Sequence, residues 1–160
     1  MSLEDNIKHE LEEQFPFLAP AITIKRQRRI FVEVPQEKFL EVFRYLITKC
    51  QFSILSAITG MDEGNNMFGV IYNLCRETGQ MCLLRIHVPR ENPRVTTVTG
   101  CFPSAEAYER ELVDLLGIQV EGLPAGHRYP LPDNWPQGEF PLRKEWHSQA
   151  PQENKENPDV

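Results

Sequence analysis

Three carboxylates and a guanidinium crowd into Glu109-Arg110-Glu111-Leu112-Val113-Asp114, the stretch where chemistry would first be sought. Acids in such proximity can work as general acid and base when a cleft raises the pKa of one of them. The spacing argues for something plainer. Arg110 stands four residues before Asp114, the separation at which the two meet on one helix face, so an ordinary surface ion pair is expected. An arginine fork can also hold carboxylates bidentately, and these residues immediately precede a change in composition. Their expected role is geometric, fixing how the following segment leaves the helix.

Other reactive groups are dispersed. Cys50, Cys75, Cys82 and Cys101 include no CxxC pair, and His9, His87, His127 and His147 are scattered rather than spaced as metal ligands. No glycine loop for phosphate, dinucleotide fingerprint or GxSxG elbow occurs. The reading is therefore of a chain with no catalytic residues, no cofactor and no metal, whose cysteines are thiols in a reducing compartment.

With 160 residues, 41% hydrophobic and 25% charged, the chain has the balance of one globular domain plus a tail. A net charge of −6 disfavours polyanions. The basic knot Lys25, Arg26, Arg28, Arg29 lacks interleaved aromatics and reads as a hairpin tip, not as a nucleic-acid patch. The polar, acidic opening Met-Ser-Leu-Glu-Asp-Asn and the lack of any long apolar run predict a cytoplasmic protein, at most peripheral to a membrane.

Several elements must position these groups. Ser2 and Asp5 form a capping-box start, and Ile7, Leu11 and Phe15 line one side of a first helix. Ile22 and Ile24 pair with an alternating strand from Ile30 to Val34. Pro35 opens a second helix carrying Phe39, Leu40, Phe43, Leu46 and Ile47. Strands are expected over Phe52–Thr59, Met67–Cys75 and Met81–Val88, the last two joined by a tight hairpin at Glu77, Thr78 and Gly79. If Thr78 and Gly79 form the turn, Cys75 stands opposite Cys82. Residues Arg94 to Thr99 are β-prone. A third helix opens at Pro103 and Ser104, turns Ala105, Tyr108, Leu112 and Leu115 inward, and stops at Gly117.

Beyond Gly122 periodicity is lost, and seven of the thirteen prolines fall after residue 121, among Trp135, Phe140 and Trp146. Proline prevents a local hydrogen-bonded fold, whereas large aromatics are costly to leave in water, so this segment is expected to lie on another surface. Tyr129, Trp135, Phe140 and Trp146 are its interface anchors, with Arg143 and Lys144 available to acidic partner groups. The expected organisation is α+β, helices packed on a mainly antiparallel sheet over residues 1–120. An extended proline-rich partner-binding tail over 121–147 and a disordered end over 148–160 complete it.

From Glu109 to Ile118 the sequence resembles the thirty-kilodalton subunit family of respiratory complex I. The ERExxDxxGI pattern is followed, as in that family, by Gly122 and Pro124, Arg128, Leu131-Pro132-Asp133-Asn134-Trp135 and Pro141-Leu142-Arg143-Lys144. Weaker similarity runs through Ala57 to Asp62 and Val98 to Pro103, so the resemblance spans about residues 25–146. It implies a domain without redox cofactor, packed on the large catalytic subunit beside other peripheral-arm subunits, with the tail draped over that partner.

Quinone-linked members carry Gly-His-Pro-Asp followed by two arginines, where this chain reads Gly122-Leu123-Pro124-Ala125-Gly126-His127-Arg128. The segment Trp135 to Phe140 is also slightly longer. These departures look like the relatives in membrane-bound energy-converting nickel-iron hydrogenases and formate hydrogenlyases. There the domain is a separate subunit or is fused to the large subunit. The implied function is a non-catalytic structural and assembly subunit of hydrogenase type. The thirty-kilodalton subunit of an NADH:quinone oxidoreductase and a free-standing protein-binding module are the alternatives.

Overall fold

The computed structural model describes residues 2–148; the disordered end expected over 148–160 lies, beyond Ser148, outside the described residues. Helix α1 (Leu3–Gln14) begins at the expected capping box, Ser2 accepting from the Asp5 amide and Asp5 from the Ser2 amide. Its apolar side buries Ile7 and Leu11. Glu4, on the same helix, accepts from the Arg28 amide at 2.7 Å and so ties α1 to the tip of the first hairpin.

That hairpin is β1 (Ile22–Arg26) and β2 (Arg29–Glu33). A 3-10 turn over Gln36–Lys38 precedes helix α2 (Phe39–Thr48), so Pro35 stands in extended backbone ahead of the helix instead of inside it. The meander β3 (Ile54–Gly64), β4 (Met67–Cys75) and β5 (Met81–Pro89) completes a five-stranded sheet ordered β1-β2-β5-β4-β3. All its neighbours are antiparallel except β2 and β5, which run parallel. Helix α2 sets Phe39, Val42, Phe43 and Leu46 against one face, with the Phe39 and Phe43 rings 4.5 and 5.7 Å from that of Tyr72.

The β4–β5 register corrects the expected cysteine pairing. Arg76 and Gln80 pair across a three-residue loop, Glu77-Thr78-Gly79, with Gly79 at φ +88°. Three-residue hairpin loops place glycine at this left-handed position. The extra residue moves the register by one, so Leu74 faces Cys82 and Cys75 faces Met81. Cys82 is buried in the core and Cys75 lies on the opposite face; all four cysteines are free thiols.

A short parallel pair, β6 (Arg94–Thr96) and β7 (Gln119–Glu121), flanks helix α3 (Ala105–Glu111). Helix α3 continues into a π turn over Leu112–Leu116 and ends at Gly117, φ +73°. The burial pattern corrects the expected apolar stripe. Ala105 and Leu112 are buried as expected, but the other inward positions are Glu109 and Leu116 in place of Tyr108 and Leu115, which are half-buried, and Asp114 is buried as well. Gly60 of β3 lets this helix approach: a Cβ there would stand 2.5 Å from Leu116 and 2.6 Å from Leu112.

Candidate interaction site at the junction of helix and tail

The end of α3 leaves backbone carbonyls without intrahelical partners. Ile118 donates back to the Leu112 carbonyl at 3.1 Å and Gly117 to Val113 at 3.0 Å. The carbonyls of Leu115 and Leu116 are satisfied from the tail, by the Leu142 amide at 3.0 Å and by Arg143 Nε at 2.8 Å. The surface on which the tail lies is thus, along much of its course, its own domain.

The arginines do not pair as the spacing predicts. Arg110 turns toward the N-terminus of its helix, donating to Glu106 at 2.8 and 3.2 Å, and reaches the Pro124 carbonyl at 2.7 Å. Asp114 is held instead by Arg128, whose Nε is 3.3 Å from Oδ1, and it accepts from the Leu131 amide. Competition is the physical reason for the correction: the Glu106 carboxylate and the Pro124 carbonyl take up Arg110, while Arg128 and the Leu131 amide take up Asp114. Each arginine bridges helix and tail.

Glu109 is not a surface acid. It is wholly buried and accepts from the Val98 amide at 2.7 Å and from the Thr97 hydroxyl at 2.5 Å. Burial raises its carboxyl pKa, and these two hydrogen bonds only partly offset that. Glu111 is half-buried and borders a cleft of about 120 Å³ with Gly60, Leu115 and Leu142.

Further along, Trp135 donates to the Glu139 carbonyl and Trp146 to the Glu139 carboxylate, and the two indoles lie 5.8 Å apart. Arg143 lies over the rings of Phe140 and Phe68, at 4.3 and 5.3 Å. A Cβ on Gly117 would stand 2.6 Å from both Arg143 and Phe140, so the glycine is required for packing as well as for its positive φ. Gly122 likewise has φ +83°, beside Thr97. Pro141 is half-buried, whereas Tyr129 and Leu142 are 47% and 52% exposed.

The last anchor lies in β3, far from the tail in sequence. Asp62, at a bulge in β3, binds Arg90, the Gly64 amide and the Lys144 amide. Arg90 also pairs with Glu145 at 2.6 Å. Burial alone would push the Asp62 carboxyl up, but Arg90 and the two amides outweigh it and hold it well below the ordinary carboxylate range. The signal available in the sequence was an Asp-Glu-Gly run ending a strand, compatible with a bulge, but nothing local pointed to residues eighty positions away. Among the described residues no group of three or more His, Cys, Asp or Glu is arranged to hold a metal ion, and no helix is long and apolar enough to cross a membrane.

Comparison with known proteins places this architecture. Residues 32–152 match the family described as the respiratory-chain NADH dehydrogenase 30 Kd subunit. The membrane-bound hydrogenase subunit beta of Pyrococcus furiosus is 26% identical, over 89% of this chain and 86% of its own length. Formate hydrogenlyase subunit 5 of Escherichia coli is 34% identical over 84% of this chain but only 24% of its own length. A chain of the membrane-bound sulfane sulfur reductase, an archaeal respiratory membrane complex, superposes with a TM-score of 0.82 at 25% identity, covering 92% of this chain and 88% of that one. The chain belongs to the respiratory-chain NADH dehydrogenase 30 Kd subunit family.

Proposed function

We propose, from membership of that family, that the chain is a non-catalytic docking subunit of a membrane-associated electron-transfer complex, seated on the large catalytic subunit, the hydrogenase type being favoured. The observation that carries this reading is how the relatives divide. One is matched along 86% of its length and another along 24%, so the same module stands alone in one case and is part of a much longer polypeptide in the other. Residues joined in one chain are held at high effective concentration, and a module that persists after separation needs a surface to replace the link.

The tail supplies that surface in this reading. Its backbone is anchored by Asp62, Asp114 and the Leu115 carbonyl of the π turn, while Tyr129 and Leu142 are exposed. Apolar side chains on an already ordered backbone bind a partner at little further entropic cost. The proposed place is the cytoplasmic side of the membrane, reached through partners, beside other peripheral-arm subunits. The second reading, the thirty-kilodalton subunit of an NADH-quinone oxidoreductase, is favoured by the family's own description.

Purification of the native complex through this chain tests the proposal. The expected result is a stoichiometric, nickel-bearing large subunit, with hydrogen evolution from a reduced viologen dye. Quinone reduction without hydrogen chemistry would favour the second reading, and a chain recovered alone would overturn both.

A further inference from the structure

The five-stranded sheet has a second face, turned away from α2. An antiparallel sheet with one solvated face alternates apolar and polar residues. Here the outward positions include Phe31, Leu83, Ile71, Met61 and Met81, half-buried among Thr23, Asn73, Arg85 and His87, and none of these apolar side chains belongs to the core cluster. In register, Phe31 adjoins Leu83 and Ile71 adjoins Arg85, placing three apolar side chains on the three central strands. A hollow of about 370 Å³ lies over them. A contiguous apolar patch rimmed by polar residues on a sheet face marks a place where another element packs, and helices are the usual cover of a sheet.

Charge is distributed along this face. At the end where β2 and β5 begin stand Lys25, 4.9 Å from the centre of the Phe31 ring, and Arg29. At the end where they finish stand Glu33 and Glu63. Glu63 lies across Gly69, where any Cβ would collide with it, and bonds Arg85 and His87, with Glu33 3.5 Å from Arg85. One end is basic, and at the other two acids share one arginine and one histidine.

We propose that this outer face docks an amphipathic helix of a neighbouring subunit, its apolar stripe across Phe31, Leu83 and Ile71, its acidic end over Lys25 and Arg29 and its basic end over Glu33 and Glu63. The inference rests on the reading of the chain as a subunit and concerns a surface separate from the tail. One other occupant, the chain's own end, fits less well. Residues 149–160 offer only Ala150 and Val160 as non-proline apolar groups.

The test is photo-cross-linking within the native complex from a benzoylphenylalanine placed at Leu83, with a parallel probe at Leu142 in the tail. The expected result is a cross-link from position 83 to a helical segment of another subunit. The charge-reversed variant Lys25→Glu/Arg29→Glu, altered only near the tip of the first hairpin, should retain that subunit at least tenfold less well at low salt. Cross-links from Leu142 but none from Leu83, cross-links from Leu83 only to another copy of this chain, or unchanged retention by the charge-reversed variant would overturn this proposal and leave the tail reading intact. Failure of both probes would overturn both.

Discussion

Arg128 reaches fourteen residues back along the chain to Asp114, its Nε 3.3 Å from Oδ1, while its Nη1 donates to the Trp135 carbonyl at 2.9 Å. One guanidinium therefore ties the last turn of the third helical segment to the tail and to the first member of its tryptophan pair. Asp114 is 8% exposed, so this is a sheltered contact and not one fully screened by water.

Arg128→Ala should destabilise the chain by about 2 kcal/mol, because it strands a buried carboxylate. Arg128→Lys should recover little, since a single ammonium cannot span both acceptors. Urea unfolding measures the loss, and faster hydrogen exchange at Leu131 and Trp135 should locate it in the tail.

Asp62 makes the junction sensitive to acid. Its folded pKa lies below its ordinary 3.8, so the stabilisation is complete above that pH and is lost as pH falls from there toward the folded value. Wild-type stability should therefore drop below about pH 4, and Asp62→Asn should flatten that part of the profile. At neutral pH the variant should be less stable by about 2 kcal/mol and should release the segment around Lys144. Urea midpoints across the acid range, with exchange at Lys144, provide the check.

Glu109 should behave in the opposite sense. A carboxyl whose pKa is raised on folding destabilises the native state progressively as pH climbs above the ordinary value of 4.5. Glutamine can accept from the Val98 amide and donate to Thr97, so Glu109→Gln should be at least as stable as wild type at pH 8. Glu109→Ala should lose about 1–3 kcal/mol by leaving the Val98 amide unpaired. Denaturation of both variants at pH 5 and pH 8 distinguishes these outcomes.

Thiol reactivity follows burial. Cys82 is fully buried, and burial pushes the Cys50 thiol up to about 12, whereas Cys101 is exposed and Cys75 half-buried. A thiol reagent at neutral pH should label Cys101 fastest, Cys75 more slowly, and Cys50 and Cys82 only on unfolding. Mass spectrometry of partly labelled protein reads the order directly.

Local chemistry made much of the domain legible. Ser2 and Asp5 cap α1 as their types require, the apolar runs of β4 and β5 fall where expected, and Gly117 ends the third helical segment. What escaped was set by single-residue slips and by distance. The three-residue loop at Gly79 moved the Cys75 register, the inward stripe of the third helix runs through Glu109 and Leu116 instead of Tyr108 and Leu115, and tail groups took the partners that Arg110 and Asp114 would have found in each other. Glu109 reads as surface charge by type and is core by position. The tail's return to Asp62 joins residues 82 apart, and no periodicity encodes such a contact.

The central claim is that an anchored tail presents Tyr129 and Leu142 to a large catalytic subunit, and its most direct measurement is the affinity of that purified subunit for this chain. Tyr129→Asp/Leu142→Asp alters only exposed side chains, and unchanged urea unfolding would verify that the fold survives. The account predicts at least hundredfold weaker binding, a loss of about 2.7 kcal/mol. Equal affinity of the variant and the wild-type chain would contradict it.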